Sequence, residues 1–341
     1  MKIKIDLPEI KKEDIVFPKK GFPVCTVNGG SFLLKFPKKK GLFISDPVQE
    51  YLASHIADLI GLPVQGTELF SVDGEIVCGC RNLIVDGWTV RSYADIFPKV
   101  WESEDVQKHG QFILSDDFKE MPENFPLRDR FLSFFWDTFV FDALIGNLDR
   151  TVINIGFLRR GDFIKLCPLY DNEYTAFFGY EGRAERYQGF LKLSEEEQIE
   201  KAVFYASLPA VKLKEGMSDV CFHDLLFSGI YPECREAVKR IVPSIDRKAI
   251  DHFIDGISIL PKEEKEVIKK VLSVRKEILL DSAYVLAMNG SFDNESRNRI
   301  LTILTNEKTK ELVNENIWNR ECFNKERYIM ADKNKNMSRF L

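Results

Sequence analysis

Apolar and polar positions change rhythm along this chain of 341 residues. Up to about residue 86, short apolar runs and turn signals enclose one helical pattern; beyond about residue 190, helix follows helix. The early helix is the best signalled. Asp46 suits an N-cap, Pro47 the first helical position, and Gln49 the position that reaches back to the cap. Val48, Leu52, Ile56 and Leu59 then recur at helical spacing until Gly61 and Pro63 close the element. Residues 31–36 upstream read as a strand. Downstream, 67–70 and 75–81 flank Asp73-Gly74, a two-residue hairpin signal. Lys38-Lys39-Lys40 reads as a solvated loop.

The stretch 131–144 is apolar nearly all round, with Phe131, Leu132, Phe134, Phe135, Trp136, Phe139 and Val140, and predicts a buried helix ending at Gly146-Asn147. Residues 153–158 and 163–166 around Arg160-Gly161-Asp162 predict a second hairpin. Helical patterns fill 192–317, Ile268, Val271 and Leu272 among them, and the polar tail after Asn324 is expected to fray.

This length suggests two lobes, a β-rich one over 1–86 and a mainly helical one over 87–341. The balance of 48 basic against 53 acidic residues, net −5, argues against general nucleic-acid binding. Seven Cys form no C-x-x-C pair, and His55, His109, His223 and His252 are scattered, so reduced thiols in the cytoplasm are expected instead of a zinc site. The N-terminus shows no apolar signal core, and the most apolar stretch contains Asp137 and Asp142, so no membrane span is expected.

Chemistry concentrates between Asp149 and Asp171. Asp149, with Arg150 beside it, leaves the core helix on a loop; Asn154 follows five residues later, and Asp171 follows the hairpin in Pro168-Leu169-Tyr170-Asp171. Taken singly these are loop residues that make Asx turns. Brought together at the ends of one hairpin, Asn154 and Asp171 make a hard-oxygen site suited to Mg²⁺, and Asp149 is left to accept a proton from an attacking hydroxyl. Upstream, Asn28-Gly29-Gly30-Ser31 is a small-residue turn before a strand carrying Lys35, and Glu50 lies on the following helix. Lys35 would neutralise nucleotide phosphates and Glu50 would hold that lysine.

Asn147-Leu148-Asp149-Arg150, then Asn154, then Pro-Leu-Tyr-Asp171, resembles the HipA-like and CtkA-like bacterial serine/threonine kinases, with phosphoinositide 3- and 4-kinases as more distant cousins. The match covers about 20–175. It implies an α+β, two-lobed kinase-like fold and Mg·ATP-dependent phosphorylation of a protein Ser or Thr, including the enzyme itself. It also implies Asp149 and Arg150 in catalysis and Asn154 and Asp171 as magnesium ligands. Gly29, Gly30, Ser31, Lys35, Glu50 and Cys80 would then be the ATP-binding set, with a hinge near 80–86. Ser31 is expected beside the phosphates as a self-phosphorylation site, and an antitoxin-like protein is an expected partner. The family carries His where this chain has Thr151. Two alternatives stand: a lipid or small-molecule kinase, and a nucleotide-binding pseudokinase acting as an interaction or toxin–antitoxin module.

Overall fold

The computed structural model describes residues 7–290 except 20, 41–42, 46, 115–116, 148, 174–182, 205–208, 213–218 and 229–230, together with 294 and 298. The first hairpin joins β1 (Val24–Val27) to β2 (Gly30–Lys35). Its turn is Asn28-Gly29 alone, with φ of 49° and 76°, the paired positive values of a type I′ turn. β5 (Thr67–Val72) and β6 (Glu75–Arg81) repeat this at Asp73-Gly74, with φ of 50° and 80°. β2 lies antiparallel to β6, so the sheet order is β1-β2-β6-β5. Lys38–Lys40, expected as a loop, instead forms β3 and pairs with β4 (Phe43–Ser45). A short ladder shares only backbone groups, and lysine suits a strand that accepts no further neighbour.

α1 (Pro47–Ile60) starts at the expected proline and stops at Gly61, whose φ is 87°; Asp46 lies outside the described residues. One face of the sheet buries Phe32, Leu34, Phe70 and Val77 against Ile10 and Ile15. The other buries Leu69, Cys78 and Cys80, with Tyr51 of α1 packed on them. The apolar side of α1, however, belongs to the large core: Val48, Leu52, Ile56 and Ile60 cluster with residues of the following body.

That body begins after the connection at 82–88. β7 (Thr89–Ser92), β8 (Gly156–Arg160) and β9 (Phe163–Leu166) form a three-stranded sheet. β7 carried no sequence signal of its own. β8 starts at Gly156 and not at 153, because Asn154 donates its N–H to the Thr151 carbonyl and stays in the preceding turn. A Cβ on Gly156 would run into the Arg91 and Ser92 backbone, so only glycine lets these strands approach.

Short helices α2 (Tyr93–Ile96), α3 (Glu104–His109) and α4 (Asp117–Glu120) lead to α5 (Arg128–Ile145). α5 buries Phe131, Phe134, Phe135, Trp136 and Phe139, and ends on Gly146 with φ 72°. The remainder comprises α6 (Arg183–Leu191), α7 (Glu195–Phe204), the hairpin β10 (Pro209–Lys212) and β11 (Asp219–Cys221), and α8 (Phe222–Ser228). α9 (Pro232–Ile241), α10 (Arg247–Gly256), α11 (Lys262–Val274) and α12 (Asp281–Asn289) complete it, a π-helical stretch at Arg275–Leu280 joining the last two. The architecture is α+β, as expected. The tail after Asn324 lies outside the described residues. The six described cysteines are free thiols, and no helix among the described residues is long and apolar enough to cross a membrane.

Candidate active site

The two parts meet at a cleft of about 270 Å³, apolar along most of its wall. Leu33, Cys80, Leu83, Ile84, Val90 and Ile153 line the apolar end, where Gln65 also lies, bonded to the Arg81 carbonyl; Lys35, Asn154 and Asp171 line the polar one. A larger cavity of about 500 Å³ lies behind α1, near Tyr51, His55 and Phe253, and holds none of these polar groups.

Lys35 closes β2 and is buried. Its ammonium donates to Glu50 Oε2 at 2.8 Å and to Asp171 Oδ1 at 2.6 Å, and lies 3.5 Å from Glu173 Oε2. Burial works to lower its pKa, but the Glu50, Asp171 and Glu173 carboxylates overcome it and hold the ammonium well above the ordinary lysine value. Glu50, Asp171 and Glu173 bring one oxygen each within 4.8 Å of one another, a cluster that could hold a cation. Glu173 had no sequence signal.

The loop after α5 is built on a buried ion pair. Arg150 donates through Nε and Nη2 to both oxygens of Asp142, each at 3.0 Å, from one turn back on α5. Its Nη1 donates to the carbonyls of Asn154 and Tyr170 at 3.1 and 3.0 Å, and Nη2 to Asn172 Oδ1 at 2.6 Å. Arg150 is thus an internal brace of this loop and not a surface charge. Asn147 continues the brace: it donates to Asp142 at 3.1 Å and accepts the Asp149 N–H at 3.0 Å. Asp149 projects from this rigid loop, and Asn154 Nδ2 donates to its carbonyl at 2.7 Å and to its carboxylate at 3.1 Å. That bond turns the Asn154 amide oxygen away from Asp149. Burial and the nearby charge of Asp171 push the Asp149 carboxyl up to about 6.

Asp171 adopts a left-handed φ of 56°, a conformation that Asp tolerates better than most side chains. Its segment is pinned from before, because Gln65 N–H donates to the Leu169 carbonyl and Leu169 N–H to that of Pro63.

The structure thus brings together Lys35, Glu50, Asp149, Arg150, Asn154 and Asp171, with Cys80 on the apolar wall. It does not bring Gly29, Gly30 or Ser31 to Lys35. Ser31 lies four residues back along β2, about 13 Å at strand spacing, and Gly29 about 20 Å. At that end of β2, beside the 82–88 connection, Ser31 Oγ accepts from Asn82 Nδ2 at 3.2 Å, and its carbonyl accepts the Asn82 N–H. The turn over the polar end comes instead from the return between Val16 and Val24, where Gly21 has φ 98° and the Phe22 ring lies 6.0 Å from the Lys35 ammonium.

A small antiparallel sheet with one helix across it, joined to a mainly helical body and carrying a lysine–glutamate pair above an aspartate-bearing loop, is a kinase-like fold. No family model matches the chain. It is similar to the serine/threonine-protein kinase CtkA of Helicobacter pylori strain J99, 26% identical over 294 residues that cover 82% of this chain and 88% of CtkA. The crystal structure of a Helicobacter pylori proinflammatory kinase CtkA superposes with a TM-score of 0.68 at 24% identity, covering 82% of this chain and 98% of that one. The HipA–HipB–operator DNA complex of Shewanella oneidensis MR-1 aligns at a TM-score of only 0.45, with 13% identity over 80% of this chain and 64% of that one. The resemblance to CtkA therefore extends beyond the short motif to most of the chain and to its fold.

Proposed function

We propose that this protein is a Mg·ATP-dependent serine/threonine protein kinase of HipA/CtkA type that also phosphorylates itself. The observation that carries the reading is the meeting of Lys35–Glu50, Asp149, Asn154 and Asp171 at the polar end of an otherwise apolar cleft. The apolar end suits a flat purine, with Leu33, Cys80 and Ile84 around it. Lys35, held charged by three carboxylates, is placed to transfer its ammonium to phosphate oxygens when a nucleotide enters.

The donor set fits magnesium: the Asp171 carboxylate and the Asn154 amide oxygen are hard oxygens facing one cavity, and Glu173 supplies a third oxygen beside Asp171. Bound there, the ion would neutralise charge on the transferring phosphoryl group. Asp149 accepts the proton of the attacking Ser or Thr hydroxyl as the phosphoryl group moves in line and ADP leaves. Its raised pKa places it nearer the operating pH, which favours a general base. Transfer to Ser31 within one molecule would need β2 to leave its sheet, so Ser31 is an acceptor only for a second molecule.

The test is incubation with Mg·ATP and a generic protein acceptor, followed by intact-mass spectrometry and ADP assay. Phosphoserine or phosphothreonine on the chain or the acceptor is expected. Neither product, with nucleotide demonstrably bound, would overturn the reading.

A further inference from the structure

One line of polar contacts runs unbroken from α5 to β2, and its middle member, Asn172, was silent in the sequence. Arg150, fixed by Asp142, donates to Asn172 Oδ1 at 2.6 Å. The Asn172 backbone N–H then donates to Glu50 Oε2 at 2.7 Å, and its side-chain amide reaches Glu50 Oε1 at 3.5 Å. Glu50 passes the contact on to Lys35 at 2.8 Å. Asn172 and Glu50 are both 0% exposed, so water replaces none of these bonds.

The side chain required here is narrow in kind. It must accept from a guanidinium while offering a donor toward a carboxylate, and it must be neutral. Aspartate would add a negative charge beside Glu50 and Asp171; leucine would leave one Arg150 donor unmet in a dry site. A carboxamide meets all three conditions. Asn172 also follows Asp171 directly, and a left-handed φ of 56° at a non-glycine residue persists only where its surroundings hold it.

We propose that Asn172 is a positioning residue: a clasp that makes both the Lys35–Glu50 pair and the aim of Asp171 depend on the Arg150 loop. The functional consequence rests on the phosphoryl-transfer reading above; the clasp itself does not. Without its side chain the Asn172 N–H still reaches Glu50 and Arg150 still holds the Tyr170 carbonyl. The 2.6 Å bond from Arg150 and the 3.5 Å contact to Glu50 Oε1 are lost, so Glu50 and the segment bearing Asp171 are held less tightly to the Arg150 loop.

The first test needs no catalysis. Full-length wild type, Asn172→Ala and the volume-conserving Asn172→Leu are acetylated with an N-hydroxysuccinimide ester, and each lysine is followed by peptide mass spectrometry. Lys35 should be labelled about tenfold faster in both variants, as loss of a bond between charged groups implies, while exposed Lys12 and Lys108 stay unchanged. Wild-type protection of Lys35 in both variants would overturn the clasp. Should these variants fail to fold, Glu50→Gln approaches from the other end. There the Asn172 amide should exchange its hydrogen about tenfold faster than in wild type, and unchanged protection would be equally decisive against the proposal.

The second test is kinetic. Asn172→Ala should lower kcat by about 10- to 100-fold through misplacement alone, and in a Glu50→Gln background it should cost little more. Full additivity of the two substitutions would overturn the coupling. Absence of phosphoryl transfer in the wild type would overturn the functional reading only, leaving the acetylation result to decide the clasp.

Discussion

Removing the carboxylate of Asp142 should expose how much of the site depends on one buried charge. Asp142 is 1% exposed and holds Arg150 through two bonds of 3.0 Å. Burial pushes its carboxyl up even against the attraction of Arg150, which marks a pair whose formation costs desolvation and adds little net stability. Deleting one partner is a different matter. Asp142→Ala would leave the Arg150 guanidinium with acceptors but no counter-charge beneath α5, a loss of about 3–5 kcal/mol. With about 2.1 cal/mol/K of unfolding entropy per residue, the 341 residues give about 0.7 kcal/mol/K, so the thermal midpoint should fall by about 4–7 °C. Asp142→Asn keeps the shape and one acceptor and should fall about half as far. Scanning calorimetry of the three proteins side by side measures this. Equal midpoints for the Asn and Ala variants, or a fall below about 1 °C for Ala, would refute the account of Arg150 as a charge held by Asp142.

Other outcomes follow from the same geometry. Asp149→Ala should reduce phosphoryl transfer by about 10²–10⁴-fold with nucleotide binding retained; radiolabel transfer near the wild-type rate would remove Asp149 as the base. Asn154→Ala and Asp171→Ala should each weaken ATP binding in magnesium, and should blunt the loss of affinity that EDTA causes in wild type, as isothermal titration can read. Gly156→Ala should cost about 2–3 kcal/mol because its Cβ meets the Arg91 and Ser92 backbone. Gly29→Ala, with a positive φ but open space around it, should cost about 1 kcal/mol, a contrast visible in urea midpoints.

What the sequence disclosed was what local chemistry encodes. Pro47 and Gly61 bound α1, Asp73-Gly74 made its turn, and the aromatic run from Phe131 announced a buried helix, because each signal acts within a few residues. Asp149, Asn154 and Asp171 could be read together since one loop and one hairpin carry them. Asn172 and Glu173 could not. Their partners Glu50 and Lys35 lie more than 120 residues away, and an Asn or Glu after Asp171 has no meaning until β2 and α1 are placed above it. That Gly29, Gly30 and Ser31 lie away from Lys35 could not be read for a related reason. A strand read from sequence has no fixed direction relative to the cleft, and β2 enters beside the 82–88 connection and reaches the polar end only at Lys35. Phe22 took the vacant position through the Val16–Val24 return, whose single glycine gave too weak a signal.

The allegiance of α1 determines which joint can yield. Its apolar residues interlock with the helical body, whereas the sheet keeps a separate small core of its own. Drawing the sheet off α1 would separate Lys35 from Glu50, two buried charges, at a cost of about 3–5 kcal/mol. α1 is therefore a rivet and not a yielding joint: that pair and the seam of Tyr51 against Cys78 and Cys80 fasten it to the sheet, and the large core fastens it to the helical body. The chain itself crosses from sheet to body at 82–88, and the bond from the Gln65 N–H to the Leu169 carbonyl ties the two a second time.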